Sequence, residues 1–137
     1  MRAGPRRTLY HAPKLTTAAV VTCGGLCPGL NNIVRELTRT LIVQYGVERV
    51  LGITDGYNGF NDAKHPVIPL TLEGVRTVHD EGGTILGAAR GGFDLPTIKK
   101  FLLKHSVNTL FVIGGDGTHR GALKLSEACV EWQLPVR

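Results

Sequence analysis

Gly114-Gly115-Asp116-Gly117-Thr118 lies between a strongly apolar run and a stretch of helical spacing. Flanking glycines let backbone N–H groups turn toward an anion, and the helix that follows adds the positive end of its dipole. Asp116 stands between glycines as a carboxylate with no bulky neighbour. Such a group suits Mg²⁺, which takes one or two carboxylates and completes its shell with phosphate oxygens. Thr118 adds a hydroxyl. The plain alternative is a strand-to-helix turn, where Asp and Gly are common in any case. Two further glycine segments share this character. Gly24 to Gly29 (GGLCPG) follows an apolar run but carries no carboxylate. It is neither a Walker A loop, since no Lys-Ser or Lys-Thr follows, nor a GxGxxG turn. Gly82 to Gly92 holds Arg90, whose planar guanidinium matches phosphate oxygens.

Cys23 and Cys27 have no second cysteine pair or histidine nearby, so we read them as small buried thiols rather than metal ligands. Of the five histidines, only His119 adjoins a candidate site, and it reads as a solvated residue at a helix start. No Ser/His/Asp or Cys/His arrangement can be defended from the spacings.

The elements that must position these groups alternate. Thr17 to Thr22 reads as a buried strand, and Pro28 suits the first turn of a helix carrying Leu30, Ile33, Val34, Leu37 and Leu41 inward, with Gly46 as its stop. Arg49 to Thr54 reads as a second strand, followed by a turn-rich stretch from Asp55 to Asn61. Pro66 to Leu70 is a short extended piece. Thr71 caps an expected helix with Leu72, Val75 and Val78, ending before Gly82. Thr84 to Gly92 reads as a loop. Asp94 caps a helix with Leu95, Ile98, Phe101 and Leu102 inward. Asn108 to Ile113 has the strongest strand pattern in the chain. The last helix carries Ala122, Leu125, Ala128, Cys129 and Trp132 on one side. The fold class is therefore α/β: a doubly wound, mostly parallel sheet with helices on both faces. In such folds ligands sit beyond the carboxyl ends of the strands. All three glycine segments fall at such ends, so they are expected to converge.

Composition excludes several classes. Hydrophobic residues at 42% and charged residues at 20% give a globular balance. Eighteen glycines in 137 residues exceed the usual share of about 7%, and twelve of them fall within residues 24–29, 82–92 and 114–121. No apolar run approaches the ~20 residues of a membrane helix, and no apolar stretch follows the basic start to make a secretory signal. Three cysteines are too few for a disulfide framework, which fits a reducing, cytoplasmic setting. The net charge of +5 arises mainly from Arg2, Arg6, Arg7 and Lys14. A nucleic-acid surface would carry its excess on folded elements, so nucleic acid is not an expected partner, and neither is a membrane. Residues 1–16 read as an extended arm.

GGLCPGLNN (Gly24 to Asn32), GGTILGAARGG (Gly82 to Gly92) and GGDGTHRGA (Gly114 to Ala122) follow the order and spacing of the phosphofructokinase family. The chain resembles the N-terminal portion of a 6-phosphofructokinase. AGPR (Ala3 to Arg6), CGGLCPGLN and GYNGF (Gly56 to Phe60) are similar to the plant and protist ATP-dependent branch. The resemblance implies transfer of the ATP γ-phosphoryl group to fructose 6-phosphate, giving fructose 1,6-bisphosphate and ADP. It implies that Gly25, Arg90, Gly91, Gly115, Asp116, Gly117 and Thr118 bind ATP, with Asp116 holding Mg²⁺. It also implies a homo-oligomer, often a tetramer. An aspartate commonly replaces Gly117 in pyrophosphate-dependent relatives, so glycine there favours ATP.

On this reading residues 17–137 are the N-terminal part of an ATP-binding phosphofructokinase domain, incomplete because the family's TIDND-type segment, which bears the proton acceptor, lies beyond Arg137. No catalytic base is expected within the 137 residues. A pyrophosphate-dependent enzyme, a non-catalytic nucleotide-binding regulatory relative, and the NAD kinase and diacylglycerol kinase group are the competing readings. The last shares only the GGDGT motif. The 137 residues alone are expected to show no kinase activity, and turnover of fructose 6-phosphate by them in a coupled assay would contradict this.

Overall fold

The computed structural model describes residues 12–137. Most of the arm expected over 1–16, with its AGPR motif, lies outside those residues. Within them, Pro13–Leu15 coils into a single 3-10 turn rather than an extended piece, because Pro13 fixes the helical φ and Thr16 N–H closes onto Pro13 C=O at 3.0 Å.

Four strands form one sheet: β1 (Thr17–Thr22), β2 (Arg49–Ile53), β3 (Val67–Pro69) and β4 (Thr109–Ile113). Their order is β3-β2-β1-β4. β1 pairs in parallel with β2 and β4, with Val20 opposite Gly52 on one side and Phe111 on the other. β3 pairs antiparallel with β2. The central position of β1 explains its unbroken apolar run, since every residue in it is buried. Alternate residues serve opposite faces. Ala19 and Val21, with Leu51 and Ile53, pack against Ile98, Phe101 and Leu102 of α2 (Leu95–His105) and Leu125 and Cys129 of α3 (Asp116–Glu131). Ala18, Val20 and Val50 pack against Val34 of α1 (Leu30–Arg39) and against Leu70, Val75, Val78 and Leu86. Helices therefore cover both faces, as the alternating pattern requires. None of them is long and apolar enough to cross a membrane among the described residues.

Several local expectations are corrected. The helix expected from Thr71 is absent: residues 71–77 form turns, and only Val78–Asp80 coils, as 3-10. Thr71 Oγ1 accepts the Gly74 N–H at 3.0 Å, which closes one turn. Gly74, Val75, Thr77 and Val78 then supply poor helix formers, so nothing propagates it. Pro28 precedes α1 rather than entering its first turn, because Gly29 is the N-cap with φ of +88°. Ile33 is exposed instead of inward-facing. α1 continues into a π-helical turn at Thr40–Gln44 before Gly46 stops it with φ of +70°. β4, the strongest strand in pattern, is only half-buried along its length, because it lies at the end of the strand order.

Asp94 caps α2 as expected, accepting the Thr97 N–H at 3.0 Å. At the other end of α2, Asp62 Oδ2 accepts from Lys104 Nζ at 2.7 Å and meets His105 Nε2 at 2.6 Å. The Lys104 and His105 hydrogen bonds hold the Asp62 carboxyl below its ordinary 3.8. A carboxyl with a lowered folded pKa contributes stability above its unfolded value and loses it as pH falls through the folded one. Asp62→Asn is expected to cost from a few tenths to about 1 kcal/mol near neutrality. The gap to the parent should close as pH drops below about 4, read by urea denaturation across pH. A gap that is independent of pH would contradict this.

Candidate functional site

The strand ends place the glycine segments. β1 runs out at Thr22, and Cys23 N–H donates to Ile113 C=O at 2.8 Å. That bond aligns the ends of β1 and β4. Gly24 follows with φ of +88°, a conformation that L side chains rarely adopt, and its N–H donates to Ala89 C=O at 2.9 Å. The chain thus touches the third segment and then the second in two consecutive residues. A short parallel bridge between Cys23 and Ala89 marks the second contact.

These three segments line one cleft of about 460 Å³. Gly25, Arg90, Gly91, Gly115, Asp116, Gly117 and Thr118, all singled out from sequence, lie on it together. α3 begins at Asp116 with Gly115 as its N-cap and no side-chain cap. Its first closing bond runs from His119 N–H to Gly115 C=O at 3.0 Å. The N–H groups of Asp116, Gly117 and Thr118 are the helix's orphan donors, at the mouth of the cleft. The Asp116 carboxylate and the Arg90 guanidinium are exposed, and neither has a hydrogen-bond or ion-pair partner among the described residues. A Cβ at Gly25 would meet Arg90 Nη2 at 3.7 Å, which puts the guanidinium over the first glycine turn. Gly117 faces open space, with nothing within 4 Å of an added Cβ. Thr118 is buried, its side chain packed beside Gly114 and Gly24. His119 is exposed in the first turn of α3 and is not among the residues lining the cleft.

The sequence reading missed the cleft's walls. Tyr57 and Phe93 meet edge to face at 5.0 Å between ring centroids, and Tyr57 Oη donates to Thr118 C=O at 2.8 Å. This bond ties the 3-10 turn Gly56–Phe60 to the first turn of α3. The available signal was Gly121, a glycine inside a helical pattern. A Cβ there would crowd Tyr57 Oη at 3.0 Å and Phe93 Cδ2 at 3.1 Å. Cys23 also lines the cleft. Burial pushes its thiol up to about 11, offset in part by a backbone hydrogen bond with Tyr57. Burial, reinforced by Cys23, pushes the Tyr57 phenol up to about 12. Both groups are neutral at pH 7, so this wall, packed against the first turns of α3, presents no anion. Cys27, expected to be buried, is exposed in the turn before α1, because the residues from Gly25 to Gly29 bulge away from the sheet into solvent.

The family described as Phosphofructokinase matches residues 17–136. The chain is 48% identical over 135 residues to ATP-dependent 6-phosphofructokinase 7 of Arabidopsis thaliana, covering 98% of this chain and 27% of that protein. It is 48% identical over 126 residues to the ATP-dependent 6-phosphofructokinase of Amycolatopsis methanolica, covering 92% of this chain and 28% of that one. The chain therefore spans little more than a quarter of the length of these curated relatives. Among solved structures, Pichia pastoris phosphofructokinase in the T-state superposes with a TM-score of 0.71 at 30% identity, over 82% of this chain and 13% of that chain.

The thiols offer a direct check on the site's geometry. Only the thiolate alkylates, and access controls the rate. Iodoacetamide at pH 8 is expected to label Cys27 quickly while Cys23 and Cys129, both buried with raised pKa values, react only after denaturation. Intact mass would read one adduct before unfolding and three after, and equal labelling of all three in the native state would contradict the placement.

Proposed function

This chain belongs to the phosphofructokinase family, and we propose that it supplies the ATP-gripping part of an ATP-dependent 6-phosphofructokinase. The reaction is transfer of the ATP γ-phosphoryl group to fructose 6-phosphate, giving fructose 1,6-bisphosphate and ADP. On this reading residues 17–137 are the N-terminal part of the ATP-binding domain. The observation that carries the proposal is the meeting of three glycine segments at one cleft whose rim holds a carboxylate and a guanidinium, neither with a partner among the described residues.

Phosphoryl transfer asks the protein mainly for positioning and charge neutralisation. Gly25 and Gly91 let the backbone approach the phosphate chain. The orphan N–H groups of Gly117 and Thr118, at the positive end of α3, face phosphate oxygens. Arg90 adds a planar donor set against the transferred group. Gly115 turns the chain out of β4 so that the start of α3 points into the cleft. The aromatic walls and the neutral Cys23 and Tyr57 keep the negative phosphates from meeting a like charge.

Asp116 fits a divalent cation of the Mg²⁺ kind: a hard oxygen donor, exposed at the cleft, with no side-chain partner among the described residues. Mg²⁺ held there would offset negative charge on the phosphates. No residue of this chain is assigned the role of catalytic base.

Gly117 favours ATP over pyrophosphate as donor. An added Cβ at this position meets no other element within 4 Å, and the position lies on the cleft lining. A carboxylate there would oppose a third phosphate and leave a diphosphate more room. The same open position argues against the pyrophosphate-dependent alternative. We extend the reading to a cytoplasmic homo-oligomer, a tetramer by resemblance, and three unpaired thiols accord with a reducing compartment.

The test is steady-state kinetics on the full-length enzyme with fructose 6-phosphate. Asp116→Asn is expected to lower kcat/KM for ATP about 10²–10³-fold, the scale of one lost electrostatic contact. Gly117→Asp should raise KM for ATP about tenfold or more and improve the use of pyrophosphate. Absence of ATP turnover dependent on fructose 6-phosphate in the parent enzyme would defeat the assignment. A Gly117→Asp variant with parental ATP kinetics would defeat the donor argument.

A further inference from the structure

Arg90 stands in a segment without regular structure, yet its proposed role demands a fixed position. Residues 81–92 form only turns, bends and the bridge at Ala89. Three backbone bonds join them to residues outside: Glu81 N–H to Val78 C=O at 3.2 Å, Asp55 N–H to Leu86 C=O at 2.8 Å and Gly24 N–H to Ala89 C=O at 2.9 Å. From outside the segment, side-chain bonds to its backbone come from two residues among the described ones. Asn31 Nδ2 donates to Glu81 C=O at 3.1 Å, and Asn31 Oδ1 accepts the Ile85 N–H at 2.8 Å. Thr22 Oγ1 donates to Gly87 C=O at 2.6 Å and lies 3.2 Å from Thr84 Oγ1.

Neither side chain has another evident purpose. Asn31 is 2% exposed and Thr22 is fully buried, so each pays the desolvation of a polar group. Asn31 sits in the first turn of α1, where its amide spans two backbone groups four residues apart, as a neighbouring strand would. Thr22 sits at the last position of β1, directly before the glycine turn. The loop is thereby fastened at 81, 85, 87 and 89, all on one side, by the strand and helix that flank the first glycine segment. Leu86, almost fully buried between these ties, fixes its depth.

We propose that Asn31 and Thr22 are positioning residues that set Arg90 against the transferred phosphoryl group by fastening the 81–89 backbone to β1 and α1. The inference rests on the phosphate role given to Arg90 above. If both act through Arg90, their loss cannot add to its loss. Residues that act independently contribute losses that multiply, whereas residues in one chain of action do not.

The experiment is a double-mutant cycle on the full-length enzyme, reading kcat, KM for ATP, KM for fructose 6-phosphate and the unfolding midpoint. Asn31→Ala and Thr22→Val are each expected to lower kcat about tenfold with KM for fructose 6-phosphate within about twofold of the parent. Added to Arg90→Ala, either should cost less than about a further twofold. Thr22→Val preserves shape, so it carries the test if Asn31→Ala does not fold. Single variants with parental kcat, or losses that multiply with that of Arg90→Ala, would overturn the inference while leaving the function intact. Full activity in Arg90→Ala would instead remove the role of Arg90 itself, and this inference with it.

Discussion

Two adjacent backbone N–H groups hold the site together. Cys23 donates to the end of β4, and Gly24 donates to the loop that carries Arg90. Neither bond is long-lived by its own strength, since a backbone hydrogen bond contributes about 1 kcal/mol net. Their leverage comes from β1, which is buried on both faces and paired on both edges. A strand paired on both edges cannot shift its register without breaking two ladders at once. The end of β1 is therefore the most constrained point from which a loop could start. Three segments separated by dozens of residues are brought to one place because each meets that end.

The electrostatics follow from the same arrangement. Some exposed charges have a partner close by, such as Arg76 with Glu73 or Lys104 with Asp62, while others, Lys100 and Glu127 among them, stand in solvent without one among the described residues. Asp116 and Arg90 share a cleft, yet neither has a partner among the described residues. The orphan N–H groups of α3 have no side-chain cap at Gly115, although a serine or aspartate there would satisfy one of them. α2 shows the contrast, for Asp94 closes its start in the ordinary way. A helix start without a side-chain cap, beside a carboxylate and a guanidinium, has a charge pattern complementary to that of a metal-bound phosphate chain.

The alternation of strand and helix, the site-bearing turn at GGDGT and the two-faced packing were legible because each is a local pattern with one dominant reading. The segment 71–77 was not, since three apolar residues at helical spacing compete with Gly74 and with a hydroxyl that closes a turn by itself. The half-burial of β4 was not legible either, because apolar content reports what a strand can cover, not where it lies in the order. Tyr57, Phe93 and Asn31 were invisible for a deeper reason: their functions depend on contacts across 36 to 61 positions of sequence, as with Tyr57 on Thr118. No period or propensity encodes such pairs. A buried asparagine in a first helical turn is recognisable only once its two backbone partners are known.

Gly117 and Gly121 show how a structure can separate two reasons for one residue type. They lie one helical turn apart on α3, both on the cleft. At Gly121 the chain itself supplies the reason, since Tyr57 and Phe93 occupy the space where a Cβ would go. At Gly117 no protein atom lies within reach of an added Cβ, and the backbone there is not left-handed. Nothing in folding demands glycine at that position, and within a helix it costs about 1 kcal/mol relative to alanine. On the proposed function, the open space at 117 leaves room at the N-terminus of α3 for a ligand, and an elongated polyphosphate laid across the first turn is one that would use it.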